Sequence, residues 1–124
     1  MVTQVVYNLI TRGIELELVP FCRERKVALM VYNPLAGGLL TGKHDPSAAP
    51  SAGTRFQLNQ EYYGRYWQDA NLNAVAELRE VARQADKSLV QLALQWLVSQ
   101  EAVDAVILGA SRMEQIEENI AAAE

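Results

Sequence analysis

Two glycines and a lysine near the middle of the chain have the spacing of a phosphate-binding loop. In "PLAGGLLTGKH", Gly37 is followed by four residues and then by Gly42 and Lys43. Such a loop needs a helix directly after it, whose amides hold the phosphates, and a Ser or Thr after the lysine to bind magnesium. Here His44 replaces the hydroxyl, and the residues that follow, HDPSAAPSAG, are poor helix formers. The pattern does not favour ATP binding, so the glycines need another explanation.

The composition of the chain argues against several classes of partner. Its 124 residues are 50% hydrophobic and 21% charged, which suits one domain with a sizeable core. A net charge of −4 without a long Lys/Arg run does not favour nucleic-acid binding. No apolar stretch approaches the roughly 20 residues of a membrane span and no leader pattern is present, so we expect a cytoplasmic protein without a membrane partner. Cys22 and His44 are the only residues of their types, so no metal site is expected.

Alternating strand-like and helical segments predict the α/β class. Short apolar runs rich in β-branched residues predict buried parallel strands at residues 2–8, 27–32 and 106–108. Apolar periodicity predicts helices at residues 15–25, 71–84, 89–98 and 112–123. A Gly-, Pro-, Ser- and Ala-rich segment from residue 33 to about residue 66 is too long for a simple connector, and we expect it to be functional or mobile.

Local signals refine these helices. Pro20 should bend or delay the first helix, on which Leu16, Val19 and Cys22 form an apolar row. Ser88 should cap the helix at residues 89–98, with Trp96 in the core. Ser111 and Glu114 have capping-box spacing and should open the last helix at residue 112.

Three separated motifs resemble the aldo/keto reductase family. "VYNPLAGGLLTGK", residues 31–43, resembles its seventh strand and the loop after it. "QVVYNLITR", residues 4–12, resembles the sixth strand, and "VILGASRMEQIEEN", residues 106–119, resembles the eighth strand and the helix that grips the adenosine end of NADPH. The last motif is similar to the branch that contains potassium-channel β subunits and aflatoxin-aldehyde-reductase-like enzymes.

The resemblance implies the carboxyl-terminal portion of a TIM (β/α)8 barrel: about three parallel strands, covering helices and one long loop. It therefore implies one partial domain over residues 1–124, with the ligand at the carboxyl ends of the strands. The implied class is an NADP-dependent oxidoreductase domain that reduces an aldehyde or ketone by hydride transfer.

The resemblance also implies a role for particular residues of this sequence. Gln4 would hydrogen-bond the nicotinamide carboxamide, and Tyr32 would stack beneath the nicotinamide ring. The residues whose backbone groups would line the pyrophosphate are Asn33, Pro34, Leu35, Ala36 and Gly37. Glycine in this loop would avoid the collision that a side chain would make with the cofactor. Lys43 would pair with the pyrophosphate or a loop partner, and Arg55 resembles the basic residue of the loop that closes over the dinucleotide.

The last motif implies the adenosine contacts. The residues that would hold the adenosine are Gly109, Ser111, Gln115, Glu118 and Asn119, the last two at the adenine amine. Arg112 would bind the 2′-phosphate at a helix start, which favours NADPH over NADH.

Each of these roles has a structural alternative. Tyr32 is alternatively an ordinary strand-end aromatic residue, and Ser111 is alternatively a helix cap. Gln115, Glu118 and Asn119 are alternatively a solvated helix face. The aromatic residues of the long loop are expected mainly to pack it, namely Tyr62, Tyr63, Tyr66 and Trp67.

The resemblance covers only part of the family's barrel, which has eight strands in about 250 residues. The Asp, Tyr, Lys and His that protonate the carbonyl come from the first half of that barrel, so we assign no catalytic residue and expect this chain alone to be inactive. We expect the unpaired strand edges to cause self-association or pairing with a missing amino-terminal half. The functional alternatives are a non-enzymatic NADPH-sensing regulatory subunit and an interaction module that reuses the fold.

Overall fold

The structure, a computed structural model, describes residues 1–123. Its strands are β1 (Val2–Val6), β2 (Ala28–Tyr32) and β3 (Ala105–Ile107). Its helices are α1 (Leu18–Arg25), α2 (Arg55–Leu58), α3 (Gln60–Tyr66), α4 (Asp69–Gln84), α5 (Leu89–Val98) and α6 (Met113–Ala123). Two 3-10 segments, Gly13–Glu15 and Ala36–Thr41, follow β1 and β2. Among these helices, none combines the length and apolarity that crossing a bilayer requires.

The three strands form one parallel sheet in the order β1-β2-β3. Gln4 lies opposite Met30, which lies opposite Ala105. Because the strands are parallel, their carboxyl ends share one edge of the sheet, called here the carboxyl edge. The prediction of an α/β fold with three parallel strands and covering helices is confirmed.

The two faces of the sheet have different environments. Leu29 and Val31 are completely buried, in a cluster with Cys22 of α1 and Leu97 of α5. The register turns Gln4, Tyr32 and their row neighbours to the opposite face, where Val2 and Ile107 are exposed. The helices therefore cover one face of the sheet, and the other face carries the nicotinamide residues implied by the resemblance.

The sequence led us to expect one long loop after β2, but this segment has regular structure. It contains α2 and α3, and Phe56 and Tyr66 from these helices are buried with Leu39 and Leu40 in a second core cluster. The expected packing by aromatic residues is confirmed, since the Phe56 and Trp67 rings are 5.2 Å apart between centroids. Aromatic contacts thus give this segment regular structure despite its Gly- and Pro-rich start.

The prediction for the first helix was wrong at its start. Helix α1 begins at Leu18 rather than at residue 15, so Leu16 is outside it and 84% exposed. Glu15 belongs to the preceding 3-10 segment, where its carboxylate binds Arg12 and the Tyr7 hydroxyl. Pro20 then falls in the first turn of α1, where its missing amide proton costs no helix bond. The predicted delay by Pro20 is confirmed.

Two further predictions about helices were wrong. Helix α6 begins at Met113, and the side chain that reaches Ser111 is Gln115 rather than Glu114. A start one residue later than predicted puts Gln115, not Glu114, within reach of the preceding turn.

Trp96 is only partly buried at the edge of the sheet–helix cluster, because α5 presents it toward the Arg12 guanidinium. The predicted Ser88 cap is confirmed, with Gln91 completing a capping box.

Candidate functional site

The segments that carry the expected cofactor residues begin at the carboxyl edge. Residues 33–37 follow β2 directly, and Gly109 lies two residues after the end of β3. Gln4 and Tyr32 lie on neighbouring strands and on the same face of the sheet, one row apart. Gln4 is exposed and Tyr32 is partly buried, so a planar group beside this face is able to contact both side chains.

Asn33 connects three parts of the structure at the carboxyl edge. Its backbone is left-handed, with φ +59°. Its side-chain Nδ2 donates to the Tyr66 hydroxyl at 2.6 Å, and its Oδ1 accepts from the Gly37 amide at 2.7 Å. The end of β2, the glycine turn and α3 are therefore fixed to one another through a single side chain.

Asn8 is a residue that the sequence analysis did not select. Its side chain is 0% exposed, and its Nδ2 donates to the Asn33 carbonyl at 3.0 Å. The signal that could have found it is a polar residue at the end of an apolar, strand-like run, because a buried amide must find partners for its donors and acceptor.

The glycine turn has a structural explanation of its own. Gly37 and Gly38 have φ of +69° and +107°, which side chains rarely allow. The Ala36 amide donates to the Asn33 carbonyl at 3.1 Å, and the Gly38 amide donates to the Leu35 carbonyl at 2.9 Å. The fold therefore requires glycine here without any cofactor, and several turn amides are already bonded within the chain. Pro34 is buried and Ala36 is completely buried, so in this arrangement Ala36 presents no group to a ligand.

The two basic residues expected near the pyrophosphate differ in placement. The Arg55 guanidinium lies 5.0 Å from the centroid of the Tyr62 ring, and that ring contacts Gly37. Arg55 is thus connected to the glycine turn through one aromatic side chain. Lys43 is exposed beyond the Ala36–Thr41 segment.

The expected adenosine residues follow β3 into α6. Gly109, Ser111, Arg112 and Glu118 are exposed. Gln115 Oε1 accepts from the Ser111 amide at 2.9 Å and from its hydroxyl at 3.2 Å, so this side chain holds the turn before α6. Asn119 is 7% exposed, and α6 packs against α5, so Asn119 does not belong to a solvated helix face.

A charged cluster lies beside the end of β1. The Tyr7 hydroxyl donates to Glu15 Oε1 at 2.6 Å, and Arg12 Nε donates to the same oxygen at 2.8 Å. The Arg12 guanidinium lies 5.1 Å from the centroid of the Trp96 ring. Burial and the hydrogen bond to Glu15 raise the pKa of Tyr7 to about 12, and the Arg12 hydrogen bond lowers the pKa of Glu15. The cluster ties the segment after β1 to α5.

His44 is buried in the segment after β2, with 9% of its surface exposed. Its ring packs in T-shaped contacts with the rings of Phe56 and Trp67, with centroids 5.2 and 5.4 Å away. Burial lowers the pKa of His44, and the neighbouring Lys43 charge lowers it further. No helix begins after it until Arg55, so this stretch lacks the geometry of an ATP-binding P-loop. Within residues 1–123, no three His, Cys, Asp or Glu side chains are grouped to hold a metal ion.

Comparison with known proteins identifies the family. The aldo/keto reductase family model matches residues 1–124, and the chain belongs to this family. Human aflatoxin B1 aldehyde reductase member 2 is 39% identical over 99% of this chain and 38% of that protein. L-glyceraldehyde 3-phosphate reductase of Escherichia coli (strain K12) is 35% identical over 98% of the chain and 36% of that protein.

A third relative has a name of a different kind. The probable voltage-gated potassium channel subunit beta of Arabidopsis thaliana is 37% identical over 98% of the chain and 38% of that protein. The chain thus spans less than half the length of the curated relatives it matches. Both kinds of protein named for the branch that the 106–119 motif resembles are represented among these relatives, which confirms the resemblance read from the sequence.

Proposed function

We propose that this chain is the NADPH-binding, carboxyl-terminal part of an aldo/keto reductase-type oxidoreductase that reduces an aldehyde or ketone to an alcohol. Residues 1–124 would form one partial barrel domain of a cytoplasmic protein. The observation that carries the proposal is that Tyr32 and the glycine turn lie at the carboxyl edge, with Gln4 one row further back on the same face of the sheet. Family membership supports the oxidoreductase class.

The residues at the carboxyl edge have the chemistry of an anionic dinucleotide site. Lys43, Arg55 and Arg112 are cations on the segments that follow β2 and β3. Tyr32 offers an aromatic face, and Gln4 offers an amide to the nicotinamide carboxamide. Bound NADPH would supply the hydride for the carbonyl carbon. The residues of this chain would bind and orient the cofactor, with Arg112 at the 2′-phosphate and Gln115, Glu118 and Asn119 at the adenosine.

The proton for the reduced carbonyl would come from outside this chain. We assign no catalytic residue to the 124 residues, so the chain by itself would bind cofactor without reducing carbonyls. The outer edges of β1 and β3 would pair with strands of the first half of the barrel, or with a second copy of the chain. The half-exposed face of the sheet would pack against the same partner.

A titration with NADPH tests the proposal. Circular dichroism first shows that the chain is folded, and energy transfer from Trp67 and Trp96 to the reduced nicotinamide then reports binding. Gln115→Ala should weaken NADPH binding about threefold to tenfold, as loss of one hydrogen bond does, and the matched variant Gln84→Ala on α4 should not. Saturable binding that prefers NADPH to NADH and ATP supports the proposal. A folded chain that binds NADPH no better than ATP contradicts it.

A second candidate function is an NADPH-sensing regulatory subunit, favoured by the 37% identity to the Arabidopsis protein named a channel subunit. Such a subunit would bind NADPH through the same residues and remain attached to a membrane channel. Co-purification of the full polypeptide with a channel, without turnover of aldehydes, distinguishes it from a reductase. An interaction module without cofactor affinity is the remaining alternative, and the same titration excludes it when NADPH binds.

A further inference from the structure

A side chain continues the contact between β1 and β2 where their backbone pairing stops. The register ends with Val6 opposite Tyr32, and the Tyr7 amide still donates to the Tyr32 carbonyl at 3.4 Å. In a parallel ladder the next hydrogen bond would run from the amide of residue 34 to the Tyr7 carbonyl, but Pro34 has no amide proton. The Asn8 side chain takes over, since its Nδ2 donates to the Asn33 carbonyl at 3.0 Å.

The backbone of Asn8 has meanwhile turned away from β2. Its amide donates to the Thr11 carbonyl at 3.3 Å, and its carbonyl accepts from the Thr11 amide at 3.1 Å. Its side-chain Oδ1 accepts from the Ile10 amide at 3.1 Å. The buried side chain therefore uses a donor toward Asn33 and an acceptor toward Ile10. A carboxylate provides no donor for the first contact, and an apolar side chain satisfies neither.

The Asn33 carbonyl is the point where this contact reaches the expected cofactor residues. Asn33 follows Tyr32, and its carbonyl belongs to the peptide that opens the turn of residues 34–37. The same carbonyl accepts from the Ala36 amide at 3.1 Å, and the Asn33 side chain accepts from the Gly37 amide. An altered orientation of this carbonyl would therefore alter the whole turn.

We propose that Asn8 is a positioning residue of the cofactor site: its amide holds the Asn33 carbonyl, and through it the turn of residues 34–37, in the arrangement that receives the dinucleotide. The inference rests on the proposed function. Asn8 would not itself touch the cofactor, because it is completely buried and acts through Asn33.

Asn8→Asp tests the donor with almost no change of shape. In its neutral form the introduced carboxyl donates to the Asn33 carbonyl, and in its ionised form it cannot. Complete burial at this position should raise the pKa of the introduced carboxyl well above its usual range. We therefore expect NADP⁺ binding, followed by tryptophan fluorescence, to be about tenfold weaker than in the parent at pH 8 and near the parent value at pH 5. The parent also contains the titratable groups of Tyr7, Tyr66 and His44. The ratio of the NADP⁺ affinity of the variant to that of the parent, taken at each pH, therefore removes the effect of their titration.

A control at the opposite edge separates positioning from sheet stability. The Asp104 carboxylate accepts from the Leu29 amide at 2.6 Å at the amino end of the sheet. Asp104→Asn should weaken the sheet there and leave NADP⁺ affinity unchanged at both pH values. Asn8→Ser, which is neutral, should weaken binding equally at both pH values, and it also serves if Asn8→Asp does not fold at pH 8.

Hydrogen exchange of the Gly37 amide gives a readout without cofactor. Asn8→Asp should lower its protection at pH 8, relative to the parent, more than Asp104→Asn does. Parent-like NADP⁺ binding by both Asn8 variants at pH 8, or an Asn8→Asp loss that is equal at pH 5 and pH 8, would overturn the inference. If the parent itself does not bind NADP⁺, the proposed function fails. Hydrogen exchange of the Gly37 amide is then the only test of the role of Asn8. Protection of this amide in Asn8→Asp equal to that in the parent rejects the role of Asn8 in setting the turn.

Discussion

Gly37 packs so closely against Tyr62 that a β-carbon on Gly37 would lie 2.7 Å from Cδ1 of the Tyr62 ring. The contact joins the turn after β2 to α3, two parts of the chain that the Asn33 side chain also connects. The turn therefore depends on the position of α3, and the long segment after β2 is part of the framework of the candidate site.

Gly37→Ala should be much more destabilising than Gly42→Ala. Both glycines have left-handed backbone, with φ of +69° and +75°, so both substitutions introduce strain of about 1 kcal/mol. Only Gly37→Ala adds a steric overlap, which costs about 1–3 kcal/mol more. Urea denaturation of the two variants measures the difference. Equal losses would show that the contact with Tyr62 relaxes without cost.

Tyr7→Phe tests the charged cluster beside β1. Loss of the hydrogen bond to Glu15 should lower the free energy of unfolding by about 1–2 kcal/mol at pH 7, while packing against Trp96 remains. The pKa of Tyr7 is raised from 10.0 to about 12 in the folded chain. Its contribution to stability is therefore complete below pH 10 and is lost as the pH rises through 12.

Thermal unfolding of the parent and of Tyr7→Phe at a series of alkaline pH values checks this expectation. Tyr63→Phe is the matched control, because Tyr63 is 44% exposed and lies in α3, away from the cluster. A stability difference between parent and Tyr7→Phe that stays constant up to pH 12 would contradict the account of the raised pKa.

His44 should make the segment after β2 sensitive to mild acid. Burial lowers its pKa below the usual 6.5, so the folded chain binds fewer protons than the unfolded chain. Stability should be complete above pH 6.5 and fall as the pH decreases through the lowered pKa. The positive charge of Lys43 beside it also opposes protonation and lowers the pKa of His44 further.

His44→Phe should remove this dependence, since a phenyl ring keeps the contacts with Phe56 and Trp67 without titrating. The free energy of unfolding at pH 7 and at about pH 5.5, above the range where carboxylates titrate, measures the effect. A slope in His44→Phe equal to that of the parent would assign the dependence to other groups.

Lys26→Gly should stabilise the chain. Lys26 ends α1 in a left-handed conformation, φ +53°, with the Val27 amide bonded to the Cys22 carbonyl. Glycine is favoured at this position, and the substitution should raise the free energy of unfolding by about 0.5–1 kcal/mol. Asp86 ends α4 in the same way, with φ +54°, so Asp86→Gly should act alike. Destabilisation by both variants in thermal unfolding would contradict this explanation of the helix ends.

The sequence allowed the strands and the long helices to be predicted because their signals are local. Short apolar runs rich in β-branched residues marked β1 and β2, and Ser88 marked the start of α5 correctly. The start of α1 was missed because side-chain bonds from Tyr7 and Arg12 hold Glu15 in the 3-10 segment before the helix, and apolar periodicity does not report such bonds. The capping box at Ser111 failed for a smaller reason, a shift of one residue that brought Gln115 into place.

The candidate site was predictable only in part. The motif around residues 31–43 located the turn, yet it attributed Gly37 to the cofactor, whereas the backbone angle and Tyr62 already require glycine there. Asn8 gave no motif, since its importance depends on the Asn33 carbonyl, 25 residues away in sequence. The conformation of the turn thus depends on contacts between segments that are distant in sequence, and the motif alone does not reveal these contacts.

The most direct test of the central claim is a map of where the cofactor binds, obtained from amide chemical shifts of the ¹⁵N-labelled chain titrated with NADP⁺. Shifts should concentrate at the carboxyl edge and in the motif after β3, with Gly37, Gly38 and Gly109 as markers, and leave Val27 and Asp104 at the amino edge unchanged. The absence of saturable shifts in a folded chain, or shifts confined to the amino edge, would contradict the assignment of the carboxyl edge as the cofactor site.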